Sequence, residues 1–78
     1  MPTVLRVGGF RFYFYSHEPG EPPHVHVDYG SATAKVWLHD AGIARNIGFS
    51  AKELGKIQRM VKDHNMCLQE AWNAFFGL

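Results

Sequence analysis

The sequence predicts an α+β domain: two consecutive β-hairpins forming one antiparallel sheet, with C-terminal helices packed on one face. Three observations predict it. Apolar residues alternate with period two through the first half, Gly8-Gly9 and Gly30-Ser31 interrupt that alternation at hairpin spacing, and from Ser50 onward the apolar spacing becomes helical. Hydrophobic residues make up 46% and aromatics 14% of the 78 residues, too much apolar surface for a disordered segment and enough for one small core. The chain therefore reads as a single domain, 1–78, with hairpins over 1–39 and a helical part over 40–78.

The first strand is "TVLRV" and the second runs through "FRFYFY", where Phe10, Phe12 and Phe14 share one face and Arg11, Tyr13 and Tyr15 the other. Gly8-Gly9 suits a two-residue turn, because glycine enters positive φ without steric cost. The implied register sets Val7 against Phe10, Leu5 against Phe12 and Thr3 against Phe14, with Arg6 across from Arg11. Like charges directly opposite are unfavourable, so an acidic group is expected beside the two arginines.

After the proline-stiffened loop "SHEPGEPP", the strands "HVHVDY" and "ATAKVW" flank Gly30-Ser31. Counting outward pairs Tyr29 with Ala32, Val27 with Ala34 and Val25 with Val36 on an apolar face. The polar face then pairs Asp28 with Thr33, His26 with Lys35 and His24 with Trp37, with His39 further along.

Asp40 is expected to cap a short helical turn through Ile43 and Ala44, ended by Asn46 or Gly48. Ser50 and Glu53 form a capping box, and Phe49 is placed to staple onto Leu54. Leu54, Ile57, Val61, Leu68, Ala71, Trp72, Phe75 and Phe76 then form one apolar stripe. An unbroken helix over that span would be about 40 Å long. A domain of this size has a radius of gyration of only roughly 11 to 12 Å, so a break is expected near Asp63, His64 and Asn65.

A formal charge of +1 exerts no global pull toward nucleic acid or membrane, so any electrostatic argument rests on local clusters. Cys67 is the sole cysteine: no intramolecular disulfide and no thiolate metal site can form, which fits a reducing cytosol. "MPTVLRVGGF" has neither a basic leader nor a long apolar run, so a cytoplasmic protein with no membrane partner is expected.

The strings "FRFYFYS", "PPHVHV", "AKVWL", "NIGFS" and "EAWNAFF" together resemble the domain-of-unknown-function 4160 family of small bacterial proteins. The similarity runs along nearly the whole chain, and "PPHVHV" followed by "KVWL" is its most specific part. "HDAGIA", around Gly42, departs from the more helix-friendly segment of that family. The resemblance implies no settled biochemical activity. Its members are often encoded beside another small protein in an arrangement that resembles a toxin-antitoxin operon, which implies a cognate small protein as partner.

If both hairpins share one sheet, its open face gathers Arg6, Arg11, Tyr13, Tyr15, His24, His26, Lys35, Trp37 and His39. Such a face resembles a platform for RNA, on which aromatic rings stack bases and cations hold phosphates. The leading expectation is a member of a toxin-antitoxin-like pair that binds RNA through Arg6, Arg11, Tyr13, Tyr15 and Trp37. In its ribonuclease form, one of His24 and His26 takes the 2′-hydroxyl proton, the other protonates the leaving oxygen, and Lys35 steadies the phosphoryl charge.

Two rivals remain open. One is a non-enzymatic module whose face meets a partner protein or closes a homodimer. The other is a metal-binding regulator, with His24 and His26 about 7 Å apart along a strand and Asp28 or His17 as a third ligand. Lys35 and Arg11 oppose a bound cation there, so neither a metal nor any other cofactor is expected. Set against all three is the plain reading in which the histidines bond locally and hold the proline-rich loop. Cys67 and His64 are read as carrying no chemistry, and Trp72, Phe75 and Phe76 as core or as a seal for a dimer.

Overall fold

The computed structural model describes residues 3–15 and 20–77. Among these, five strands precede two helices: β1 (Thr3–Val7), β2 (Phe10–Tyr13), β3 (His24–Tyr29), β4 (Ala32–Trp37), β5 (Ile43–Ile47), α1 (Ala51–Asp63) and α2 (Asn65–Phe76). The strands form one antiparallel sheet in the order β1-β2-β3-β4-β5, so each strand pairs with its neighbours in sequence. The architecture is α+β, as the period change at Ser50 predicts.

Both hairpin registers follow from their turns. Gly8 and Gly9 adopt φ of 53° and 88°, the mirror-image turn whose twist matches paired strands. Val7, Arg6 and Leu5 oppose Phe10, Arg11 and Phe12. Thr3 departs from expectation: the register slips between Thr3 and Leu5, and Thr3 meets Tyr13 rather than Phe14. The slip carries the Thr3 hydroxyl to the polar side, where it accepts a hydrogen bond from Arg11 Nε at 2.8 Å. In the second hairpin all six pairs, from Tyr29 with Ala32 to His24 with Trp37, stand in the expected register.

The stretch 40–48 is not a helical turn. Asp40 Oδ1 accepts from the Gly42 amide at 2.8 Å, the Trp37 amide donates to the Gly42 carbonyl at 2.9 Å, and Ala41 takes a left-handed φ of 57°. The chain then returns as β5 against β4, with a bulge opposite Lys35 and Val36. The helical part thus begins at Ala51 and not at residue 40. Strand pairing outweighs the local helix signals because β-branched Ile43 and Ile47 bracket the segment and β4 offers an unpaired edge. Asn46 closes the turn into α1 by exchanging two hydrogen bonds of 3.0 Å with the Phe49 backbone.

Helix α1 starts on the expected capping box: the Glu53 amide donates to Ser50 Oγ at 3.2 Å, and the Ser50 amide to Glu53 Oε1 at 2.9 Å. It ends at Asp63, and His64, at φ −107°, separates it from α2, so the expected break is present. Ile57, Val61, Leu68 and Trp72 join Phe10, Phe12, Phe14, Val25, Val27, Ala34, Val36 and Leu38 in one buried cluster. Two side-chain bonds pin the helices to the sheet's end: Gln58 Nε2 donates to the Ala41 carbonyl and Asn65 Nδ2 to the Leu38 carbonyl.

Candidate nucleic-acid interface

The helices cover one face of the sheet, and the other carries the polar partners. Because directly paired residues point the same way, Tyr13, His26, Lys35 and Arg45 form one row crossing β2, β3, β4 and β5. A parallel row runs Arg6, Arg11, Asp28, Thr33 and Ile47 from edge to edge. The sheet therefore unites both hairpins, as the composite face requires.

Asp28 is the acidic group that the opposed Arg6 and Arg11 called for. Its carboxylate lies 3.9 Å from Arg11 Nη1 and accepts a 2.9 Å hydrogen bond from the Tyr13 hydroxyl. The Arg11 guanidinium sits 4.6 Å from the Tyr13 ring centroid. Burial, then hydrogen bonds to Tyr15 and Asp28, push the Tyr13 phenol well above its ordinary value. Tyr13 is buried, so it supports this face rather than offering a ring to a base. Tyr15, 39% exposed, does offer one.

The two histidines differ in depth. His24 is only 1% exposed; its ring lies 5.7 Å from Trp37 and 5.0 Å from Trp72, and Nδ1 is 2.9 Å from the Pro22 carbonyl. A carbonyl only accepts, so Nδ1 carries the proton. His26, 9% exposed, stacks on Tyr13 at 5.5 Å and meets Tyr15 edge-on at 4.4 Å. The two imidazoles are 5.2 Å apart, and alternation along β3 places them on one side of the strand. That face is not open at His24, whose ring packs against Trp37 and against Trp72 of α2.

A depression of about 310 Å³ opens on this face, lined by Tyr15, His26, Thr33, Ala34, Lys35 and Arg45. The Lys35 ammonium pairs with the Glu21 carboxylate and lies 5.0 Å from the Trp37 ring centroid. Of the expected site residues, His26, Lys35 and Tyr15 meet in this depression. Arg6 and Arg11 lie along its neighbouring row, Trp37 flanks Lys35, and His24 is buried two residues from His26 along β3, outside the lining. Arg45 is the residue that sequence reasoning missed, because the segment holding it read as helical. The β-branched Ile43 and Ile47 at the ends of its segment mark a strand there, and only the bulge opposite Lys35 and Val36 turns Arg45 to this face.

His39 stands apart, exposed at the β4–β5 turn with Nε2 3.4 Å from Asp40 Oδ2. Among the described residues, no group of three or more His, Cys, Asp or Glu could hold a metal ion. His17, the alternative third ligand, lies outside the described residues. Among the described residues, too, no helix is long and apolar enough to cross a membrane.

The sheet and its site define a class: a five-stranded antiparallel meander, helices on one face, and a cationic, tyrosine-rimmed depression on the other. The family described as "Domain of unknown function (DUF4160)" matches residues 9–73, and the chain belongs to it. No curated protein and no solved structure matches the chain.

Proposed function

We propose that this protein binds single-stranded RNA across the depression, as one member of a toxin-antitoxin-like pair acting in the cytoplasm. The observation that supports it is the row His26, Lys35, Arg45 on three adjacent strands beside an exposed Tyr15. The cations Lys35 and Arg45 on adjacent strands suit consecutive phosphates, and an exposed tyrosine ring suits a stacked base. In the cleavage step that this site would perform, His26 takes the 2′-hydroxyl proton as the 2′-oxygen attacks phosphorus. The bond to the 5′-oxygen breaks, and that oxygen takes its proton from solvent water, which the open depression admits. Lys35 and Arg45 face the charge that develops on the phosphoryl oxygens. His24, sealed under Trp72, holds β3 and the Pro22 backbone and stands behind the reaction.

The test is fluorescence anisotropy with a labelled single-stranded RNA, followed by gels of the incubated RNA. Lys35→Gln/Arg45→Gln is expected to weaken binding at least tenfold, and Tyr15→Ala by roughly the 1–3 kcal/mol of a lost stacking contact. His26→Ala should abolish cleavage, whereas His24→Ala should lower the melting temperature and leave the folded fraction active. If folded wild-type protein binds no RNA, the proposal fails. The second reading, a non-enzymatic module that docks a cognate small protein, then takes its place. Ile47, 54% exposed on the same face, favours that reading.

A further inference from the structure

Helix α1 carries a second cationic surface with a glycine at its centre. Lys52, Lys56, Arg59 and Lys62 are all exposed, and among the described residues no carboxylate pairs with any of them. Lys52 with Lys56 and Lys56 with Arg59 are neighbours at i,i+4 and i,i+3, where like charges repel. Lys52 also stands in the first turn, against the helix dipole. The fold therefore tolerates several local costs here, offset in part by the Lys56 ammonium lying 5.6 Å from the Phe10 ring centroid.

Gly55 adds another. A glycine inside a helix is unfavourable relative to alanine, yet a Cβ at Gly55 would meet nothing within 4 Å. Packing does not require it. Its missing side chain leaves a groove lined by Ala51, Lys52, Glu53, Gly55, Lys56 and Arg59. The Glu53 carboxylate in that lining is held by the Ser50 amide at 2.9 Å, and Asp63 bounds the stripe one turn beyond Arg59.

From cations that no carboxylate of the described residues pairs, and the bare Gly55 notch between them, we infer that the outer face of α1 is a sequence-independent docking surface for a nucleic-acid phosphate backbone. The inference rests on the RNA reading above and extends it to a second surface. Lys52 to Arg59 spans about 10 Å of helix, room for two or three phosphates of one strand, and the notch lets the sugar-phosphate chain approach the helix backbone. A membrane surface fits less well, because the apolar side of α1, Ile57 and Val61, is already buried against the sheet.

The experiment is anisotropy of the full chain with single-stranded RNA over a series of salt concentrations, with thermal melting of each variant. Gly55→Leu should raise the melting temperature and weaken binding. Lys52→Gln/Arg59→Gln should weaken binding roughly tenfold at 0.1 M salt and reduce the salt slope by about 1.4. If RNA binds the wild type and responds to Lys35→Gln/Arg45→Gln but not to either α1 change, this inference falls and the sheet site stands. The reverse pattern leaves α1 as the docking surface and overturns the sheet site. Failure of the wild type to bind RNA overturns both. Binding of polyglutamate that Lys52→Gln/Arg59→Gln abolishes, with RNA binding unchanged, assigns the surface to an acidic protein and overturns the inference.

Discussion

Tyr13 shows how a side chain on a nominally outward face becomes part of the interior. Alternation along "FRFYFY" puts it beside Arg11 and Tyr15, but its hydroxyl donates to Asp28 and its ring lies flat on His26. Because burial and these hydrogen bonds raise its pKa, the fold favours the neutral phenol. That contribution is fully present below the unfolded value of about 10 and is lost as pH rises toward the folded value. Urea midpoints should therefore decline above about pH 10. Tyr13→Phe should be less stable at neutral pH by about 1 kcal/mol for the lost hydrogen bond, with a shallower alkaline decline. An unchanged decline would remove Tyr13 from the account. The histidines carry the same lesson: His24 and His26 were legible as partners of Trp37 and Lys35, but alternation reports the side of a strand and not the depth of burial. Depth came from Trp72, far along the chain.

The elements divide by how local their causes are. The Gly8-Gly9 and Gly30-Ser31 hairpins, the Ser50–Glu53 capping box and the break at His64 each depend on residues close in sequence, and each was legible. Ser50→Ala should cost about 1 kcal/mol of stability by removing the acceptor for the Glu53 amide, read as a lower urea midpoint with unchanged slope. A loss near zero would mean that water caps the helix equally well. β5 was not legible. Asp40, Asn46 and Gly48 are as compatible with a short helix as with an edge strand, and only the free edge of β4 distinguishes the two. Misreading that element also hid Arg45.

For the chain as a unit, Trp72 is the joint between layers. Its ring meets Phe14 at 5.3 Å, His24 at 5.0 Å and Phe76 at 4.1 Å, tying α2 to the residue that follows β2 and to the first residue of β3. Trp72→Ala should cost about 3–5 kcal/mol. A chain of 78 residues has only ~4–12 kcal/mol in total. The variant should be largely unfolded by circular dichroism at 37 °C, whereas the more exposed Phe75→Ala should stay folded. A folded, cooperative Trp72→Ala would mean that the sheet's end is held by other contacts, such as the Asn65 bond to the Leu38 carbonyl.

The order of residues alone specified the α+β class, the hairpin registers except at Thr3, the capping box and the pairing of His26 with Lys35, because turn conformation, alternation and helix capping act between residues close along the chain. The fifth strand, the entry of Arg45 into the site and the sealing of His24 depended on packing between distant segments. A strand edge or a tryptophan ring many residues away exerts no effect that local periodicity records. The depression is thus a product of assembly: the segment just after β2 brings Tyr15, β3 brings His26, β4 brings Lys35, and β5, joined by an edge pairing that sequence left unannounced, brings Arg45.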